Sequence, residues 1–438
     1  MNAQLLRPRN TALRTSVAML AAAAMSASVA PAQTIAITGG TVYPVSGPAI
    51  QNGTVLMRDG RIVAVGADVA VPANAQRIDA SGKIVTPGLI HSATQLGLVE
   101  IGGEPSTRDA NARGTDGIAA SFRSWDGLNS ESVMWTPARN EGITSVVVAP
   151  GGGLIAGQAA FVDLVKGTGA QMIHRAPVAM VAQIGNPRGA LTGARGELIG
   201  KLRTLLQDVK FYQAHRSDYD RSAARSLTAP RADLEAMIPV VEGKLPLAIE
   251  ADRVDDIEGA LRLAKEFNLK IIIVGGAEAW LAANDLAAAK VPVIAGAMNN
   301  IPSSFSTLNQ RQENVGILRK AGVAVAVIGN NGDGDEELFN VRNIKYEAGN
   351  AVSYGMSHDA ALRAVTLTPA EIFGVSDRVG SLQPGRDANV VVWSGDPFEF
   401  STRVEHVYIR GQEVMEPSRQ DMLTNRYKTL PPKYETHP

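Results

Sequence analysis

From Thr34 to Val85 apolar and polar residues alternate over short stretches broken by turn residues: IAITGGTVYPVSG, GTVLMRDGRIVAVG and RIDASGKIVTP. A period of two marks strands with one face buried. Asp59-Gly60, set between β-branched runs, predicts a hairpin turn. The same texture returns near the other end as GSLQPGRDANVVVWSGDP and VEHVYIRGQEV. Two strand-rich pieces at opposite ends predict one small composite β-sandwich, built from residues 33–85 and 377–416.

Between those pieces the pattern changes. ITSVVVAP, APVAMVAQIG, LPLAIEAD, LKIIIVGG, VPVIAGA and VAVAVIGN are short, continuous apolar runs rich in β-branched residues, the mark of parallel strands buried on both faces. RVDDIEGALRLAKEFN, EAWLAANDLAAAK and HDAALRAVTLTPAEIFG repeat apolar positions three and four residues apart and predict helices. Alternating β and α units in this number predict an α/β chain with a (β/α)8 TIM-like barrel over residues 86–376. Residues 102–131, rich in Gly, Asp, Arg and Ser, interrupt the rhythm and predict a long loop over the barrel mouth. Residues 417–438 are polar and Pro-punctuated, with a short helix expected near Met422–Lys428 and then a tail.

Composition fits one large core with an accessory module: 438 residues, 45% of them hydrophobic. The 42 Lys and Arg against 43 Asp and Glu leave a net charge of -1, which gives no electrostatic reason to expect nucleic acid or an acidic membrane as partner. With no cysteine there are no disulfides, no lipidated cysteine anchor and no thiolate zinc site. Arg7, Arg9 and Arg14 precede an apolar stretch from Val17 to Ala30, then Ala30-Pro31-Ala32, which reads as a signal peptide over residues 1–32. The expected location is therefore periplasmic or secreted, with no membrane attachment after removal of the signal.

Ile84-Val85-Thr86-Pro87-Gly88-Leu89-Ile90 after a Gly-rich hairpin domain resembles the entry into the first barrel strand of the amidohydrolase superfamily, in its imidazolonepropionase-like and prolidase-like branch. Thr368-Pro369-Ala370-Glu371-Ile372, Val379-Gly380-Ser381-Leu382, Pro384-Gly385-Arg386-Asp387-Ala388 and the run from Val390 to Gly395 resemble that family's last helix and returning strands. The resemblance implies zinc held by histidines at the strand ends. Here the positions of the first-strand HxH pair are Ala93 and Gln95, and alanine has no donor atom while an amide oxygen is a poor zinc ligand. The resemblance further puts Asp252 where the fifth strand carries histidine, beside Glu250, Gly275 where the sixth does, and Asn330 where the eighth carries the proton-accepting aspartate. An amide cannot act as that base.

Gln95, Glu250, Asp252 and Asn330 are accordingly the expected lining of a pocket at the strand ends, with no metal or cofactor held there. His91, Asp333 and Asp335 are secondary candidates. His91 is read chiefly as a packed histidine, Asp252 chiefly as the N-cap of the helix that follows it, and the acidic loop from Asn330 to Glu337 chiefly as a solvated turn, with calcium as its alternative. Gly151-Gly152-Gly153 is read as a tight turn at the mouth, and Arg188 as a surface residue or a carboxylate contact. His174, His215, His358, His406 and His437 share no ligand spacing. Two functions stay open: a degenerate hydrolase that binds a small molecule, forms a homo-oligomer or partners an active relative, and an active hydrolase of carbon-nitrogen bonds using a rearranged metal site.

Overall fold

The computed structural model describes residues 34–185, 194–298, 301–302, 304–329 and 340–429. The signal segment, Arg188, Asn330, Asp333, Asp335 and His437 lie outside these residues. Five N-terminal strands, β1 (Thr34–Val42), β2 (Ile50–Arg58), β3 (Arg61–Gly66), β4 (Gln76–Asp79) and β5 (Ile84–Pro87), join three from the far end, β14 (Val390–Trp393), β15 (Val404–Ile409) and β16 (Gln412–Glu413). They form one sheet in the order β16-β15-β14-β5-β1-β2-β3, with β4 also alongside β1. The composite β-domain expected from the alternation is thus formed by both ends of the chain. Its β2–β3 turn is the anticipated Asp59-Gly60, both residues at positive φ (52° and 76°), the conformation a two-residue hairpin with right-twisted strands requires.

The remaining strands, β6 (Leu89–Thr94), β7 (Ile143–Val148), β8 (Ile155–Asp163), β9 (Ile173–Gln183), β10 (Leu247–Ala251), β11 (Ile271–Gly275), β12 (Val293–Ala295) and β13 (Val325–Val327), form a second sheet in chain order. Its two ends, β13 and β6, come alongside each other, so the sheet is a nearly closed eight-stranded barrel. Seven strands run parallel. β8 runs antiparallel to both neighbours, so β7 and β8 are joined by a turn, and β8 and β9 by a short connection holding one helical turn, Gly169–Met172, rather than by a crossover. Counting β8 as third keeps β10, β11 and β13 as fifth, sixth and eighth, as the apolar runs suggested.

The chain passes from β5 to β6 at Gly88. A Cβ there would lie 2.0 Å from the Thr144 hydroxyl oxygen, so only glycine lets the crossing strand lie this close to β7. Inside the barrel Ile90, Val147, Phe161, Val178, Ile272, Ile294 and Ile328 form a core. It is closed at the N-terminal end of the strands by Ala370, Phe373, Val375 and Val379. On the outside, Arg195–Ala214 and Val254–Phe267 lay rows such as Leu198, Leu202, Leu205 and Val209, and Ile257, Ala260 and Leu263, against the sheet. The expected helix at HDAALRAVTLTPAEIFG is two, His358–Ala364 and Leu367–Ile372, broken at Thr366. The C-terminal helix spans Arg419–Tyr427. No helix among the described residues is long and apolar enough to cross a membrane.

Candidate functional site

Seven barrel strands end at one face, and there a cavity of about 640 Å3 opens. This falls in the range of small-molecule sites, roughly 300–1,000 Å3. Ser92, Ala93, Thr94 and Gln95 all line it, because the pairing of β6 with β7 slips between His91 and Thr94 and the strand's alternation is lost there. Gln183 ends β9 and Glu250 lies one residue from the end of β10; Gln183 Nε2 donates to Glu250 Oε2 at 2.5 Å. From the 102–131 segment come Arg108, Asn111, Ala112, Arg113 and Gly117. That segment is held down at Ser121, whose N–H donates to Asp233 at 2.7 Å, and at Ser124, whose hydroxyl donates to the Val148 carbonyl. Its contributions to the cavity are polar or small, so no large apolar side chain from it plugs the mouth. Pro150 and the three glycines after it form a turn into β8 and line the same opening.

The predicted residues separate in space. Gln95 and Glu250 line the cavity. Asp252 is not the helix N-cap: Arg253 holds that position, and the first helical N–H, that of Val254, is taken by the Glu278 carboxylate at 3.0 Å. The Asp252 carboxylate instead accepts from the Ala277 N–H at 3.4 Å, reaching over the end of the neighbouring strand. Local sequence favours Asp252 as the cap, but a buried glutamate from the next β-to-α loop, Glu278, takes the helix start instead. His91 lies behind the cavity wall at the barrel seam, where its Nε2 accepts from the Gly329 N–H at 3.4 Å and its Nδ1 has no partner. Burial pushes its imidazole down to about 4, so it is neutral near pH 7.

The donors at the strand ends do not fit a zinc site. Ala93 has none, and Glu250 is the only carboxylate among the described lining residues. Gly275 is more than a missing ligand: its φ is +89°, and a Cβ there would meet Asp252 Oδ1 at 2.6 Å. The one close group of His and carboxylates among the described residues, Asp163, His174 and Asp387, sits elsewhere. Because β8 runs backwards, Asp163 lies at the opposite end of the barrel, beside Ser145 and against the β-domain. It accepts from Ser145 Oγ (2.7 Å) and from Arg410 Nε and Nη2 (3.0 and 2.7 Å), and pairs with His174 Nδ1 (2.9 Å). Burial alone would raise the Asp163 carboxyl, but His174, Arg410 and Ser145 together hold it below the usual value. Arg378 binds Asp387 through both oxygens. Two guanidinium groups already neutralise this cluster, which makes it a domain tie rather than a cation site.

Several lining residues escaped the sequence reading: Ser92, Arg108, Arg113, Gln183 and Phe373. Gln183, closing the apolar run APVAMVAQIG, was the one with a readable signal, a polar residue at a strand end. Of the other histidines, His215 bonds the Phe211 carbonyl, His358 pairs with Asp396 and His406 with Glu413.

Comparison with known proteins agrees with this architecture. The amidohydrolase family model matches residues 255–414. Amidohydrolase tasK of Hapsidospora irregularis is 22% identical over 375 residues, covering 78% of this chain but only 37% of tasK's own length. Imidazolonepropionase of Mesorhizobium japonicum is 24% identical over 393 residues, covering 78% of this chain and 87% of that enzyme. A crystal structure of an amidohydrolase from Thermotoga maritima superposes with a TM-score of 0.78 at 28% identity, covering 87% of this chain and 99% of that one. A prolidase complexed with N-methylphosphonate-L-proline shares the fold at 18% identity and a TM-score of 0.53. By its family-model match, its curated relatives and its superposition on the Thermotoga enzyme, the chain belongs to the amidohydrolase superfamily.

Proposed function

We propose that this protein is an exported, ligand-binding member of the superfamily that has given up metal-dependent hydrolysis. Members of the family are typically metal-dependent, and two or three protein ligands are the least that hold a catalytic zinc. The observation that carries the reading is the pair Ala93 and Gly275: neither side chain has a donor atom, and Gly275 has a φ of +89°, which L side chains rarely adopt, so a histidine there would be strained and would crowd Asp252. The cavity nevertheless stays open, lined by Gln95, Gln183 and Glu250 instead of being filled by large apolar residues. Metal analysis tests this. Protein purified from the periplasm without chelator should carry well under one equivalent of zinc, manganese or iron, and a stoichiometric, tightly held transition metal would overturn it. Mass spectrometry of the same sample should show a chain beginning near Gln33; an intact Met1 would remove export from the proposal.

A second reading, hydrolysis of a carbon-nitrogen bond through a rearranged metal site, is favoured by one observation, the Glu250 carboxylate in the cavity. Turnover of amide or dipeptide substrates that rises on adding zinc and falls with Glu250→Gln would establish it in place of the first. Association as a homo-oligomer or with an active relative is a further part of the proposal, tested by the mass of the native complex.

A further inference from the structure

The interior of the barrel is under-filled on one side. Ala159 on β8 is paired with Ala179 on β9, and Ala248 follows on β10, so three adjacent strands offer methyl groups where barrel interiors usually hold large branched residues. All three line the cavity, with Ala93 and Ala149 above them and Phe373 at the bottom. Ala248 lies two residues below Glu250 along its strand, about 7 Å of rise and about 5 Å along the axis of a tilted barrel. The cavity therefore narrows to a slim shaft, walled by Ala159, Ala179, Ala248, Val147 and Ile294, each at most 5% exposed, below the level of Gln183 and Glu250.

At the other end of the shaft stand two cations. Arg108 and Arg113 both line the opening, and neither guanidinium has an ion pair or hydrogen bond among the described residues. This contrasts with Arg378 and Arg410, each bound to a buried carboxylate. Between the ends, Ser92 is 1% exposed and lines the cavity, yet its hydroxyl has no partner. A buried hydroxyl is nearly always hydrogen-bonded, so this one points to a group delivered from the cavity.

We propose that the cavity binds a carboxylate ligand with an apolar end, the carboxylate between Arg108 and Arg113 at the mouth and the apolar group in the alanine shaft against Phe373. This rests on the reading of the protein as a ligand binder and adds the chemistry of the ligand. Guanidinium groups bind carboxylates with charge-assisted hydrogen bonds of fixed geometry, and the alanine walls supply the apolar surface that drives entry of the other end.

Titration calorimetry of the full mature protein with phenylbutyrate, and with phenylbutanol as its uncharged counterpart, tests this. The acid should bind at least about tenfold more tightly than the alcohol at low salt. The double variant Arg108→Gln and Arg113→Gln should bring the acid down to the alcohol and leave the alcohol unchanged. Ala248→Leu should abolish binding of both by filling the shaft, and Ala179→Val, a smaller addition, should weaken both if the leucine variant does not fold. Equal affinity for acid and alcohol, still lost with Ala248→Leu, would overturn the carboxylate assignment and leave the ligand-binding reading standing. Acid binding untouched by Ala248→Leu and Ala179→Val would overturn the site itself, and failure of both compounds to bind the native protein would overturn the assignment of this ligand class.

Discussion

At the closed end of the barrel, Asp163 is fully buried and is met by Ser145, His174 and two nitrogens of Arg410. At the open end, Arg108 and Arg113 are exposed beside a cavity with no partner among the described residues, and Ser92 is buried without one. Both ends belong to one barrel, and β8 touches both. Charge that holds a fold together is matched by the fold itself. Charge left unmatched beside an open, half-apolar cavity is matched, if at all, by something that enters. The contrast separates residues whose loss unfolds the protein from residues whose loss changes only what it binds.

The largest effect should come from breaking the matched end. Asp163→Asn takes the charged partner from buried Ser145 and His174 as well as from Arg410, which is 33% exposed, and should cost about 3–5 kcal/mol of stability, read from urea denaturation. A loss under about 0.5 kcal/mol would place Asp163 with ordinary surface residues and dissolve the comparison.

Next in size is His91. Its folded value near 4 lies below the usual 6.5, so the unfolded chain binds the extra proton first as pH falls. The stability it confers is fully present above pH 6.5 and is lost as pH drops toward 4, on the order of 3 kcal/mol from the shift in its titration. His91→Gln should flatten the melting temperature over that window; an unchanged slope would mean another group carries it. Asp163, depressed rather than raised, keeps its contribution above the usual 3.8 and yields it only in stronger acid, so the two ends of the barrel fail at different pH.

Gly275→Ala should cost about 1–2 kcal/mol, because an L residue is strained at φ +89° and its Cβ meets Asp252. Making it in an Asp252→Ala background should recover the part due to that contact and leave the backbone part; full recovery would mean the backbone is not strained. The smallest effect belongs to the open end: Arg108→Gln with Arg113→Gln should change stability by less than about 0.5 kcal/mol in the same denaturation assay.

The β-domain and six of the eight barrel strands were legible because they rest on local periodicity, β6 only through the family resemblance of Ile84–Ile90, and the Asp59-Gly60 turn because two positive φ angles demand such residues. β8 was not, since Gly157, Gln158, Ala159 and Ala160 carry little strand propensity and become a strand by pairing on both sides. The positions of Gln95 and Glu250 at the cavity followed from the family resemblance, which marks them as strand-end positions. The capping of the helix after Asp252 did not, because the carboxylate that reaches Val254 comes from Glu278, on a different loop. Ser92 reaches the cavity only through a slip in strand pairing, which no alternation rule contains. The tie between Asp163 and Arg410 spans 247 residues, a distance over which neither motif nor period speaks.

That span also orders events in time. β5 cannot pair with β14, nor Asp163 meet Arg410, until nearly the whole chain is made. Contacts so remote carry a high loop-closure cost and form late, after the local β7-β8-β9 meander. A ribosome-bound chain ending before β15 would hold Asp163 without its arginine, so the β-domain acts as a completion check: the barrel reaches its final stability only when the last strands have arrived.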